Sequence, residues 1–142
     1  MAPSIVRRSE DIVAVQETCI TPSVSSSLRS QFRDEGWQLM LTPTAEGAHG
    51  PNAGVGLMVR GTRPAIMCKP KTGNFRLYFD AGRVGHFIVA AGNRHAVHVY
   101  VFYGWTCGAV KRESAELTEG LVQAIKDESQ ECEADAIFWL GI

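Results

Sequence analysis

Residues 11–20 read DIVAVQETCI, and the first half of that stretch is chemically unlike the second. Ile12, Val13, Ala14 and Val15 are apolar without interruption, and Gln16 and Glu17 then bring an amide and a carboxylate. A short, largely β-branched run that is apolar on both alternating faces predicts a strand covered on both sides, in a sheet with helices packed on it. Glu17 then falls at the carboxyl end of a buried strand, the edge off which α/β sheets place ligands. Position alone leaves two readings for that carboxylate. It is a ligand for Mg²⁺, a hard ion that takes oxygen donors, or it is a strand-end group that pairs with an arginine or caps a turn.

The rest of the chain extends this pattern. In TPSVSSSLRSQFRDEGW, Thr21 or Ser23 can cap a helix whose first turn accommodates Pro22; Val24, Leu28, Phe32 and Gln31 fall on its stripe, and Gly36 ends it. Trp37–Thr42 reads as a second strand, and Pro43–Gly54, dense in Gly, Pro and Asn, as a loop. Val55–Arg60 is another apolar strand, RPAIMCKPKTGN a short edge strand with a turn, and Phe75–Phe79 a further strand. Val84–Ala91 and Ala96–Tyr103, joined by GNRH, form the clearest hairpin signal. Val110, Leu117, Leu121, Val122, Ala124 and Ile125 mark an amphipathic helix over 111–129, and Asp135–Ile142 is a last apolar strand. Strand, helix, strands, hairpin, helix and strand in that order predict a mixed α/β (α+β) domain with hairpins as well as crossovers.

Composition limits the partners. The 142 residues carry a net charge of −1, so no global basic field draws the chain to nucleic acid and any phosphate attraction must be local. Cys19, Cys68, Cys107 and Cys132 form no C-x-x-C pair, and MAPSIVRRSEDIV holds no signal-peptide core, so reduced thiols in an intracellular protein are expected. No segment approaches the roughly 18 consecutive apolar residues of a membrane span. The histidines of HAVH, His95 and His98, point to opposite faces of a strand and argue against a shared metal. His86 reads as a strand-face residue and His49 as a solvated loop residue, while Lys69–Lys71 with Arg76 suit a solvated turn better than a nucleic-acid contact. GVGLMV lacks the third glycine and the following helix of a dinucleotide fingerprint.

The wording of the opening stretch adds a resemblance. DIVAVQET resembles the "DIV-hydrophobic-QE" signature of the endonuclease/exonuclease/phosphatase superfamily, the DNase I-like metal-dependent phosphoesterases. Further blocks come in the family's order: GWQLMLTP, AGVGLMVR, RVGHFIVA, VHVYVFYGWTCG, a helix with ESAEL, and DAIFWLG. Among its members the series looks most like the endonuclease domains of non-LTR retroelements and the abasic-site endonucleases. The resemblance implies a partial four-layer α/β sandwich of the DNase I-like type, with a mixed sheet and helices packed on one face. It also implies a Mg²⁺-dependent (or Mn²⁺-dependent) phosphodiesterase or endonuclease acting on nucleic acid.

Carried over residue by residue, Glu17 matches the family's metal-binding glutamate and Gln16 the adjacent group that orients it. Tyr103 falls where abasic-site endonucleases have a tyrosine touching the scissile phosphate; packing as a strand-end aromatic is an equal reading. Thr106 falls near the family's loop asparagine, and a hydroxyl can supply only part of an amide's hydrogen bonding. The family's first strand with its asparagine, its GDFN segment and its catalytic Asp–His pair find no match in these 142 residues. The expectation is therefore the N-terminal half of one such domain, cut at both ends, nearly inactive alone, binding metal weakly, and prone to self-association through an exposed sheet. The alternatives are a phosphatase or lipid phosphodiesterase of the same superfamily, and a noncatalytic remnant or interaction fragment.

Overall fold

The computed structural model describes residues 12–16, 18, 20–47, 50–90, 95–104, 111–132 and 136–141. In chain order its elements are β1 (Ile12–Gln16), α1 (Pro22–Asp34), β2 (Trp37–Leu41), β3 (Ala45–Gly47), β4 (Gly50–Asn52), β5 (Val55–Arg60), β6 (Ala65–Met67), α2 (Gly73–Asp80), β7 (Val84–Ala90), β8 (Ala96–Phe102), α3 (Lys111–Gln130) and β9 (Ala136–Gly141). The strands form a three-stranded sheet of order β1-β5-β2, a small β3-β4 pair, and a four-stranded sheet of order β6-β7-β8-β9. All pairings are antiparallel except β8 with β9.

Alternation along β5 sets the layering. Val55, Leu57 and Val59 face Phe87, Val89, Val99 and Val101 of the larger sheet, and all seven are buried in one cluster. Burying such a side chain contributes about 1.5–3 kcal/mol, so this cluster suffices to bind the two sheets face to face. Met58, on the other face of β5, packs with Val15, Trp37, Leu39, Leu41 and Phe32 beneath α1. The outer face of the larger sheet presents Val84 and Tyr100 to Phe75 of α2 and to Leu121 and Ile125 of α3. The layers thus run α1, small sheet, large sheet, α2 with α3, which is the α/β sandwich architecture expected from the sequence, each sheet covered by helix on its outer face.

Local signals explain the helices. Thr21 caps α1, its hydroxyl accepting from the Val24 amide at 3.4 Å, with Pro22 in the first turn. Leu28 and Phe32 face the sheet, whereas Val24 is 49% exposed and Gln31 points to solvent. In α3, among residues 115–130, the buried stripe begins at Leu121; Leu117 is 43% exposed.

Two expectations need correction. Phe75–Phe79 is not a strand but lies within α2: the Thr72 hydroxyl accepts from the Phe75 amide at 3.2 Å, and Phe75, Tyr78 and Phe79 gather on one helical face. Pro43–Gly54 is not all loop, because it contains the β3-β4 pair with Glu46 opposite Pro51, an edge setting that tolerates the missing proline N–H. The GNRH turn and His49 lie outside the described residues.

Candidate functional site

β1 and β8 end side by side on one edge of the sandwich. The Gln16 carboxamide donates across the sheets from Nε2 to the Phe102 carbonyl at 2.8 Å. Gln16 has Val55 as its register partner, so this edge also contains the start of β5 and the loop that precedes it. There Gly54 accepts from the Thr18 amide at 3.2 Å and donates its own to Gly82 O at 2.9 Å. A Cβ on Gly82, whose φ is +71°, would stand 2.7 Å from the Gly54 nitrogen, so this seam closes only because the position is a glycine. Thr18 is 8% exposed, and its hydroxyl has no hydrogen-bond partner among the described residues.

Tyr103 continues the seam. Its amide donates to the Arg83 carbonyl at 2.8 Å, and its ring carries the Arg83 guanidinium 4.7 Å from its centroid. The same guanidinium donates from Nη1 to Gly104 O at 3.3 Å. A cation held over an aromatic face gains about 0.5–1 kcal/mol at a partly exposed site, enough to bias the arginine toward this edge. The Tyr103 ring also packs against the inter-sheet cluster, so its body is structural whatever its hydroxyl does. An open cleft of about 290 Å³ beside β2 has Ser25, Arg29, Thr42 and Thr44 on its polar wall.

Of the residues that the sequence marked, Gln16 and Tyr103 are thus brought to one edge, joined through Phe102 and its neighbour. Glu17 and Thr106 lie outside the described residues. The described donors at this edge are an amide already engaged, a hydroxyl and a phenol, which do not by themselves make a Mg²⁺ site.

A second grouping escaped the sequence reading. On the outer face of the large sheet, His86 Nε2 and His98 Nδ1 stand 2.8 Å apart, and Cys132 joins them. Burial, then His98, then Lys71 hold the His86 imidazole down to about 4, well below its ordinary 6.5. Burial, reinforced by the Cys132 sulfur, pushes the Tyr100 hydroxyl far above its usual range. Its signal in the sequence was the hairpin register, which sets His86 opposite Tyr100 and hence diagonal to His98.

No family model matches the sequence, and no curated protein matches it. Among solved structures, the human Nocturnin catalytic domain, determined with a bound sulfate anion, is similar with a TM-score of 0.57 at 13% identity, over 90% of this chain and 49% of that one. The two share a fold. That fold is of the endonuclease/exonuclease/phosphatase type, so the architecture implied by the resemblance of the sequence blocks is the one observed. This chain spans about half the length of the Nocturnin domain it matches.

Proposed function

We propose that this chain supplies part of a phosphoester-cleaving site of the nuclease/phosphodiesterase superfamily. In it Glu17 acts as a metal-ligating carboxylate, Gln16 as the residue that fixes the strand end before it, and Tyr103 with Thr106 as contacts to a phosphate of nucleic acid. The observation that carries this reading is the Gln16–Phe102 hydrogen bond, which draws the ends of β1 and β8 together at a ligand-type edge of the sandwich. The sulfate in the Nocturnin domain supports it in kind, since sulfate has the shape and charge of a phosphate group.

Mg²⁺ or Mn²⁺, when bound, would supply the Lewis acid that polarises a phosphoryl oxygen. This chain's own residues hold and orient. The Gln16 amide fixes the strand end, and the Arg83 guanidinium places a positive charge beside Tyr103. A single carboxylate holds Mg²⁺ poorly, and without a general base the reaction forfeits about 10²–10⁴-fold, so the 142-residue chain alone is expected to be nearly inactive.

Mn²⁺ binding, followed by electron paramagnetic resonance, tests the assignment. Weak binding with a Kd of about 10⁻³ M or above is expected, together with its loss in Glu17→Gln; binding unchanged by that substitution refutes the assignment. Nicking of supercoiled plasmid gives the second measurement. Robust Mg²⁺-dependent nicking that Glu17→Gln abolishes would keep the site but overturn the expected inactivity.

A further inference from the structure

The outer face of the large sheet carries a convergence of ligands that the phosphoester reading does not use. Antiparallel register places His86 opposite Tyr100 and His98 opposite Ile88, so the two imidazoles are diagonal neighbours on one face. Their rings stack with centroids 5.0 Å apart at 30°, and His86 lies flat against the Tyr100 ring at 4.3 Å and 9°. Phe75 meets the same Tyr100 edge-on at 6.1 Å. Both imidazoles are therefore buried, 2% and 6% exposed, and His86 is oriented by its neighbours before any ligand arrives.

Cys132 reaches them from the other direction. α3 ends at Gln130, and the Cys132 amide bonds to Ser129 O at 3.2 Å in the adjoining turn. One nitrogen of each imidazole and the Cys132 sulfur lie within 4.8 Å of one another. The Lys71 ammonium, on the exposed side, donates to that sulfur at 3.3 Å. Beside the group, the fully buried Tyr100 hydroxyl makes no hydrogen bond of acceptable geometry among the described residues, although the Cys132 sulfur is close enough to act on it electrostatically.

We infer that His86, His98 and Cys132 form a binding site for a borderline-soft divalent cation of the Zn²⁺ class, with water in the fourth position. Two imidazole nitrogens and one sulfur make a donor set that zinc takes and that hard ions such as Mg²⁺ do not. The geometry needs small adjustments. Bond lengths of about 2.0–2.1 Å to nitrogen and 2.3 Å to sulfur imply ligand atoms about 3.3–3.6 Å apart. The imidazole pair, now 2.8 Å apart, must open slightly, and the sulfur must close in from its present position. Both are rotamer-scale movements for side chains at a sheet surface and a helix end. A 2.8 Å contact between two ring nitrogens holds one proton where the cation would sit. On binding, that proton moves to the other nitrogen of its own ring, and any proton on the Cys132 sulfur is released to solvent. The Lys71 contact fits a metal-bound thiolate, which commonly accepts a hydrogen bond from outside the ligand set. The occupied site would tie the end of α3 to β7 and β8, independently of whatever Glu17 binds.

Titration of the metal-free full chain with Co²⁺, a coloured substitute for Zn²⁺, tests the inference. One equivalent should bind with thiolate-to-cobalt charge-transfer absorption, be displaced by one equivalent of Zn²⁺, and resist an excess of Mg²⁺. Cys132→Ser should abolish the charge-transfer band, and both it and His98→Asn should weaken binding at least about tenfold, no less than the loss of a supporting contact costs. Glu17→Gln should leave the spectrum unchanged. Cys132 is partly exposed, so its serine variant keeps the native circular dichroism and carries the test if His98→Asn fails to fold. Absence of a charge-transfer band at stoichiometric Co²⁺, or a band that survives Cys132→Ser because other cysteines produce it, overturns the site.

Discussion

Glu128 offers the sharpest test of how the outer layer is held together. It is 1% exposed on α3, yet its carboxylate is fully used: it accepts from the amide of Lys71, from the amide of Thr72 at 3.1 Å and from the Thr72 hydroxyl at 3.3 Å. Thr72 in turn caps α2, so one buried side chain on α3 fixes where α2 begins. Hydrogen bonds to a charged acceptor contribute about 1.5–3 kcal/mol each, and a buried donor left without a partner costs a similar amount. Part of that loss is relieved because Lys71 is exposed and water can reach its amide. Glu128→Ala should therefore cost about 3–5 kcal/mol, as for breaking a buried charge-assisted network. Against a typical domain stability of about 5–15 kcal/mol that is a large fraction. Glu128→Gln keeps one acceptor oxygen but turns an amide N–H₂ toward backbone donors, and should cost about 1–2 kcal/mol. Glu128→Met keeps the volume and removes every acceptor, which separates hydrogen bonding from packing. Urea unfolding followed by circular dichroism, with the slopes compared to check that the transition stays two-state, gives all three values. If Glu128→Met is as stable as the parent, desolvating the carboxylate cancels its hydrogen bonds and the network does not hold the layer.

Three further outcomes are expected from the same packing. His86, surrounded by His98, Tyr100, Cys132 and Lys71, is depressed to about 4. The unfolded chain therefore takes up the proton first as pH falls below 6.5, and up to about 3 kcal/mol of stability should be lost on approaching pH 4. Urea midpoints measured across that range should fall less steeply in metal-free His86→Phe than in the parent, and parallel curves would contradict the shift. Gly82→Ala must adopt φ +71° and meet the Gly54 and Pro43 backbone at 2.7 and 2.8 Å, whereas Gly36→Ala at φ +86° meets nothing within 4 Å. The second should cost about 1–2 kcal/mol, the left-handed penalty alone, and the first clearly more, as read by thermal denaturation of the pair. Phe75→Ala, removing a fully buried ring that meets Tyr100 edge-on, should cost about 3–5 kcal/mol in the same assay, while Leu77→Ser, at a position 69% exposed, should stay within about 0.5 kcal/mol.

What the sequence made legible is what local periodicity controls. The run Ile12–Val15, the capped helix after Thr21 and the β-rich runs around GNRH each carry their own pattern, and each forms the element expected of it. Phe75–Phe79 misled because its period is ambiguous: Phe75, Leu77 and Phe79 alternate like a strand, while Phe75, Tyr78 and Phe79 also lie on a helical face. Leu77 resolves it, since a strand would bury Leu77 beside Phe75 and the structure leaves it 69% exposed. Of the deciding forces, the Thr72 cap is local but has no periodicity, and the Glu128 carboxylate that holds Thr72 comes from a distant helix. The histidines were legible only in part. The period of a strand rightly set His95 and His98 apart, and His95 is exposed while His98 is buried, but only the pairing of two strands supplies His86 as the neighbour of His98.

On the two proposals above, one strand, β8, would serve two unrelated chemistries, and its pleat would keep them apart. Val99 and Val101 face the small sheet and lead to Tyr103 at the edge shared with Gln16, while His98 and Tyr100 face the helices. A cation on the helix side cannot touch groups on the other face, so any influence on the Gln16–Phe102 edge must pass through the backbones of β7 and β8. That backbone is already constrained at Phe102 by Gln16 and at Tyr103 by Arg83, and a strand paired on both sides has little freedom left to transmit a shift. Metal on the outer face is thus expected to stabilise the sandwich without altering the geometry of the Gln16–Phe102 edge. That separation lets the two sites be varied one at a time.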